Sequence, residues 1–266
     1  MSSAENRAKM PKGSAPILDN RRIETDYRTI VPYLAPGMRV LDVGCGTGAM
    51  SSGFAERVGP SGSVTGIDSS EHLIAAGQQT WSHISNLQLQ HIDLFAFETE
   101  EPFDLIVSAR VMQWLRNPKE ALAHLYTLLK PGGTLSILDY DHTSLIWEPE
   151  PPASMRSFYN AFLQWRKEAG MNNQIARDLP AYFADLGLGE IEGFVSDEYY
   201  QRGADNFEHK IRIWKAVAES RGKQIVKDGY CTEAEHLQCI EEYEAWAKEH
   251  AQSMTMYLRE VRGKKK

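Results

Sequence analysis

The sequence predicts an α/β fold built on a doubly wound, mostly parallel sheet, and two observations carry that prediction. From about residue 39 to residue 140, short apolar runs of strand length alternate with segments of helical spacing, the pattern of repeated strand–helix–strand units. Gly59-Pro60 and Pro131-Gly132-Gly133 fall where such units must turn. Crossovers of this kind are right-handed, which leaves a Rossmann-like architecture as the leading candidate.

Residues 1–18 are polar, carry Pro11, Gly13 and Pro16, lack the apolar core of a signal peptide, and read as a flexible N-terminal arm. Asp19 to Leu34 has helical spacing, with Ile23, Tyr27, Ile30, Val31 and Leu34 on one side and Pro36-Gly37 after it. Arg39–Val43 is a nearly continuous apolar run that ends in glycines, the mark of a buried strand. Ala49–Val58 reads as a helix, and Ser63–Ile67 as a second strand that ends at Asp68. Ser69–Gln79 follows as a helix with a serine cap and Glu71 in its first turn. Leu87–Ile92 is a third strand ending at Asp93, Phe103–Ser108 a fourth, Pro118–Leu129 a helix and Thr134–Tyr140 a fifth strand.

Beyond Tyr140, Met155–Ala169 is an aromatic-rich helix and Leu179–Leu186 another. Glu190–Tyr200 is strand-like, Asn206–Ser220 and Thr232–His250 are helical, and residues 254–262 hold a last strand. A strand that arrives after helices points to helical insertions over one sheet. The expectation is a single domain, 19–266, with a core at 19–140 and helical caps at 141–187 and 204–250.

Composition narrows the function. The chain has 266 residues, 42% apolar and 24% charged, enough for one large core and unlike a disordered chain. With 29 basic against 36 acidic residues the net charge is −7, which disfavours a broad nucleic-acid surface. Three cysteines make no disulfide framework and fit a reducing compartment. No apolar run reaches the length of a membrane span. A cytoplasmic protein with no membrane or nucleic-acid partner is expected; its oligomeric state is not legible.

The segment Val40-Leu41-Asp42-Val43-Gly44-Cys45-Gly46-Thr47-Gly48 runs from a strand through a glycine loop into a helix. Such a loop brings backbone N–H groups close to a ligand. Gly44, Gly46 and Ala49 also satisfy the dinucleotide G-x-G-x-x-A pattern, which is weak evidence alone. Asp42 tips the balance: a carboxylate beneath the loop repels a pyrophosphate and attracts an ammonium group. Asp68 stands where an acid grips ribose hydroxyls, and Asp93 ends the third strand at the same edge. Three acids around one site suit a cation carrying an amine, a ribose and a base, and S-adenosylmethionine meets that description. The blander readings are that Asp42 braces the loop, Asp68 caps a helix, Asp93 sits in a turn and Cys45 fills a small apolar space.

On these residues the chain resembles class I S-adenosylmethionine-dependent methyltransferases, of the methyltransferase-domain type found in ubiquinone/menaquinone and small-molecule enzymes. His91-Ile92-Asp93-Leu94 is similar to that family's adenine-binding motif, Phe103 to Arg110 to its fourth-strand motif, and Leu129-Lys130-Pro131-Gly132-Gly133 to its turn before the fifth strand. The resemblance implies a seven-stranded sheet with only the last strand antiparallel. It also implies Gly44, Cys45, Gly46 and Gly48 against the methionine part of the cofactor. Asp68 with Ser69 would then take the ribose, Asp93 and Leu94 the adenine, and Ala109 and Arg110 the sulfonium region, with Tyr27 closing the site.

Asp139-Tyr140-Asp141-His142 leaves the fifth strand at the edge where an acceptor would meet the methyl group. His142 is a candidate general base with Asp139 or Asp141 orienting it; a surface histidine is the plainer reading. No metal is expected, since Cys231 and Cys239 have no nearby partners in sequence. The expected activity is methyl transfer to the oxygen, nitrogen or carbon of a small metabolite or natural product. A nucleic-acid or protein methyltransferase is the alternative, against which stands Ser108-Ala109-Arg110-Val111 in place of an Asn/Asp-Pro-Pro-aromatic motif. A non-methylating cyclase or binding protein on the same scaffold remains open.

Overall fold

Val40, Leu41 and Val43 are buried, and neighbouring strands pair with them on both edges, as a continuous apolar run in a parallel sheet requires. The computed structural model describes Asn6, Arg7 and residues 20–266; the rest of the arm expected at 1–18 lies outside the described residues. In chain order the elements are β1 (Arg39–Val43), α1 (Ala49–Val58), β2 (Ser63–Asp68), α2 (Glu71–Thr80), β3 (Leu87–His91), β4 (Phe103–Ala109), α3 (Pro118–Thr127) and β5 (Leu129–Glu148). Then come α4 (Ala153–Glu168), α5 (Ile175–Asp185), β6 (Gly189–Val195), β7 (Glu198–Gln201), α6 (Ile213–Lys227), α7 (Glu233–Glu249) and β8 (Ser253–Lys264). The strand order is β3-β2-β1-β4-β5-β8-β6, with β7 also on β8. β1 to β5 pair in parallel, and β8 is antiparallel to β5, β6 and β7. This is the doubly wound, Rossmann-like sheet that the sequence predicts.

Four expectations are revised. The sheet has eight strands, not seven, because the run expected at Glu190–Tyr200 is interrupted at Ser196-Asp197. There an Asp197 carboxylate oxygen accepts the Leu258 N–H at 2.9 Å in place of a backbone carbonyl. The register resumes without a slip, Val195 opposite Arg259 and Glu198 opposite Met256. β5 runs on to Glu148, so residues 141–148 of the expected helical insertion are strand, with a register shift against β8 between Asp141 and Ile146.

The helix expected at Asp19–Leu34 is one turn, Ile23–Asp26, and a 3-10 turn, Val31–Tyr33; Pro32 has no N–H with which to continue a ladder. Its apolar side persists, with Ile23, Tyr27 and Ile30 buried among Phe54, Val58 and Val64. Finally, α5 belongs to the sheet: Ile175, Leu179 and Phe183 are buried with Leu135, Ile137 and Val261.

Two cores therefore cover the two faces of the sheet. A third, rich in aromatics, joins α4, α6 and α7 through Phe158, Phe162, Trp165, Trp214, Tyr243 and Trp246. None of the described helices is long and apolar enough to cross a membrane.

Candidate active site

The carboxyl ends of β1, β2, β4 and β5 converge on one edge. After β1 the chain turns through Gly44, Gly46 and Gly48, each in the left-handed region (φ 73°, 59° and 76°), where other residues are strained. Gly44 also lies under Val111: a Cβ added there would fall 2.3 Å from Val111 Cγ2. The Gly44 and Cys45 N–H groups donate to Ile67 O at 2.7 and 3.1 Å, which ties the loop to β2.

Asp68 holds that tie from the side. Its Oδ2 accepts from Gly46 N at 2.9 Å and its Oδ1 from Ser70 N at 2.8 Å. Ser69 is exposed. Asp93 is exposed too; its Oδ1 accepts from Phe95 N at 2.9 Å, and Leu94 packs against the sheet core.

Asp42 is buried beneath the loop. Its Oδ2 accepts the Ser51 hydroxyl at 2.6 Å, and among the described residues it has no cationic partner. Burial raises its pKa to about 7; the Ser51 bond opposes that shift, and the nearby Asp68 charge adds to it. Thr47 Oγ1 is likewise buried without a partner, while Thr47 O accepts Trp81 Nε1 at 2.9 Å. Cys45 is buried among Ile74 and Leu89, and burial pushes its thiol well above the ordinary range, so it is no thiolate nucleophile.

Ala109, the last residue of β4, is buried, and Arg110 after it takes φ 64°, a left-handed conformation costly for a residue with a Cβ. The Arg110 side chain spans the edge. It donates to the Tyr140 hydroxyl at 2.9 Å, to Glu198 Oε1 at 2.6 Å and to Asp26 O at 3.4 Å. Burial opposes its charge, and Tyr140 and Glu198 more than offset that, so its pKa rises. Tyr200 donates to Glu198 Oε2 at 2.7 Å, and the Arg21 guanidinium lies within electrostatic reach of the group.

Tyr27 stands apart from this cluster. Its hydroxyl lies 2.7 Å from Ser136 Oγ, midway along β5, and its ring packs edge-on to Phe54. The segment that contains it reaches the edge through Arg21 and Asp26 instead.

Tyr140 and His142 alternate on β5, as do Asp139 and Asp141 on the opposite side. Asp141 is committed elsewhere: it accepts from Thr143 N at 2.8 Å, Thr143 Oγ1 at 2.6 Å and Ser144 Oγ at 3.1 Å, and pairs with Arg177. Asp139 accepts from Gln113 N at 3.0 Å and Tyr140 N at 2.9 Å, and burial, held back by those bonds, raises its pKa to about 6.

The partner of His142 is Gln113, not an aspartate. Nε2 lies 2.5 Å from Gln113 Oε1, while Gln113 Nε2 donates to Arg110 O at 3.3 Å. An oxygen can only accept, so His142 carries its proton on Nε2 and presents a lone pair on Nδ1. Burial, with Arg166 nearby, drops its pKa well below the usual value and keeps it neutral. Gln113, Arg110's partner Glu198 and Arg21 escape a sequence reading because nothing in local spacing marks them; only the alternation of Glu198 and Tyr200 hinted at a shared face.

A family model described as "Methyltransferase domain" matches residues 34–183. The chain belongs to that family, whose members use S-adenosylmethionine. It is 36% identical over 173 residues to trans-aconitate 2-methyltransferase of Deinococcus radiodurans, a match that spans 63% of each chain. Among solved structures it is similar to YcgJ of Bacillus subtilis (TM-score 0.61, 14% identity, covering 91% of this chain and 98% of that one). It is also similar to Haemonchus contortus phosphoethanolamine N-methyltransferase 2 in complex with S-adenosyl-L-methionine (TM-score 0.56, 15% identity, 90% and 51%). The structural matches share the fold.

Proposed function

We propose that the chain transfers a methyl group from S-adenosylmethionine to a small-molecule acceptor. The observation that carries this reading is Asp42, a buried carboxyl with a second carboxylate near it and no cationic partner among the described residues, beneath a loop of three left-handed glycines. A cationic ligand at that edge relieves the electrostatic cost that the protein alone leaves standing. The donor set fits the cofactor: the unpartnered Thr47 hydroxyl and acids at Asp68 and Asp93 stand around the loop of Gly44, Cys45, Gly46 and Gly48, whose N–H groups are tied within the protein and whose glycines put no side chain in the way.

In this reading Asp42 and the glycine loop hold the amino-acid end, Asp68 and Ser69 the ribose, Asp93 and Leu94 the adenine, and Ala109 and Arg110 line the reacting end. Tyr27 supports the site from behind β5. When bound, the cofactor supplies an electrophilic methyl group on sulfur. The protein's part is alignment and exclusion of water, worth roughly 7–11 kcal/mol when geometry is good. The Arg110–Tyr140–Glu198 cluster closes the edge. His142 Nδ1, unprotonated, takes a proton from a hydroxyl acceptor, and Gln113 fixes the ring.

We read residues 20–266 as one domain whose cap is α4, α6 and α7, laid over the acceptor side. The relative named for trans-aconitate supports a small acceptor. Isothermal titration tests the cofactor assignment: S-adenosylmethionine binds the wild type, and Asp68→Ala weakens it at least tenfold. Absence of binding, or an unchanged affinity in Asp68→Ala, overturns the reading.

A further inference from the structure

The cap core contains a buried cation that makes no ion pair among the described residues and has an unpartnered N–H. Arg166, in the last turn of α4, is fully buried. Its guanidinium lies over the Trp114 ring at 4.4 Å and beside the Phe162 ring at 5.3 Å. Nε donates to Asn173 Oδ1 at 2.8 Å and Nη2 to Gln113 O at 2.9 Å, while Nη1 has no partner. Among the described residues no carboxylate pairs with it. Asp139, the acid that influences it most, has both oxygens occupied by backbone N–H groups.

Two features make this more than a structural arginine. A second guanidinium, Arg221, lies 4.9 Å from the same Trp114 ring and adds its positive field to that of Arg166. A second buried donor, Trp214 Nε1, also has no partner. Its ring lies 5.6 Å from Phe162 and 6.0 Å from His142. Phe162 thus has an unsatisfied guanidinium N–H and an unsatisfied indole N–H as neighbours, with the candidate base beside it. Leaving such donors buried and unmet is destabilising, and a ligand that brings an oxyanion removes the penalty for both.

We infer that Arg166, with Trp214 Nε1, forms an oxyanion subsite in the cap that binds a carboxylate of the acceptor. This rests on the methyl-transfer reading for its role and extends it to a substrate class: small carboxylic acids, held by one carboxylate while another group meets the cofactor. Charge-assisted bonds from a planar guanidinium suit a carboxylate well.

The test measures binding of citrate, of its trimethyl ester and of inorganic phosphate to the full-length protein by titration calorimetry and thermal shift. S-adenosylmethionine titrations run in parallel. Citrate should bind and raise the melting temperature, and the ester should do neither. Arg166→Gln should weaken citrate at least tenfold and Trp214→Phe severalfold, with cofactor affinity unchanged in both. Trp214→Phe removes the indole N–H and part of the ring's volume but keeps an aromatic side chain and leaves no buried charge unpaired, so it reports even where Arg166→Gln fails to fold.

Equal binding of ester and acid, or citrate affinity indifferent to both variants, overturns the subsite. Phosphate binding tighter than citrate overturns the carboxylate assignment. Cofactor binding without citrate binding sinks the subsite alone. Arg166-dependent citrate binding without cofactor binding upholds the subsite and sinks methyl transfer.

Discussion

Asp42 and Arg110 sit at one sheet edge and carry opposite burdens. Arg110 is answered by Glu198, 88 residues away in the chain, whose carboxylate it keeps ionised. Among the described residues Asp42 has only the Ser51 hydroxyl. In an unfolded chain an aspartate ionises near 3.9, whereas burial holds Asp42 to about 7. The folded state therefore binds that proton more tightly, and the group's contribution to stability falls as pH rises from about 4 to about 7. Asp42→Asn keeps an acceptor for Ser51 and removes the charge. Urea titrations between pH 4 and 8 should show the variant's stability falling less across that window, by up to roughly 4 kcal/mol at 1.36 kcal/mol per pH unit. A decline as steep as wild type would refute the assignment; a fraction of it persists in both, because Asp139 is shifted the same way. The glycine loop and its three acids were legible in the sequence because they follow one another at strand ends. The Arg110–Glu198–Tyr140 cluster was not: its members meet only because β7 is laid on β8 and β8 on β5.

Elements were legible where periodicity and caps agreed, and illegible where a single side chain replaced a backbone bond. The helix expected from Thr232 is α7, and the box that starts it is complete: Thr232 Oγ1 accepts Glu235 N at 3.2 Å and Glu235 Oε2 accepts Thr232 N at 2.7 Å. Thr232→Ala removes one half of that exchange at an exposed position, without disturbing the buried Cys239, Tyr243 and Trp246. A loss of about 1 kcal/mol is expected in chemical denaturation, and none at all would show that the cap is redundant. The break between β6 and β7 is the converse case. No pattern of apolar residues announces that Asp197 will take the Leu258 N–H. The continuation of β5 past Tyr140 is equally hidden, since Thr143 and Ser144 bond to the Asp141 side chain and fall within the register shift against β8. The N-terminal segment kept its apolar face and lost its helix, because burial against α1 satisfies Ile23 and Tyr27 in either conformation.

At the scale of the whole molecule, the sheet and the cap bury separate cores. Both sheet cores draw on β1, β4 and β5, and the cap core draws on α4, α6 and α7 with the distal ends of β5 and β8. Cooperativity between them passes through those two strands, through the Arg166–Gln113 bond and through the packing of Trp114 and His142 against Phe162. Calorimetry of the wild type should then resolve two overlapping transitions. The proposed cofactor residues lie on the sheet side, so S-adenosylmethionine at 100 times its dissociation constant should stabilise that part by about 2.7 kcal/mol. At roughly 2–4 °C per kcal/mol for a unit of this size, the upper transition should move by about 5–10 °C and the lower one much less. Trp165→Ala supplies the complementary perturbation. The indole is fully buried in the cap and donates to Asp228 Oδ2 at 2.8 Å, so its loss should cost the cap about 3–5 kcal/mol. That variant should melt its cap early and still bind the cofactor with near wild-type affinity. One transition that shifts as a whole under both perturbations would mean instead that the long β5 and β8 weld cap and sheet into a single cooperative unit, and that cap packing reaches the cofactor loop directly.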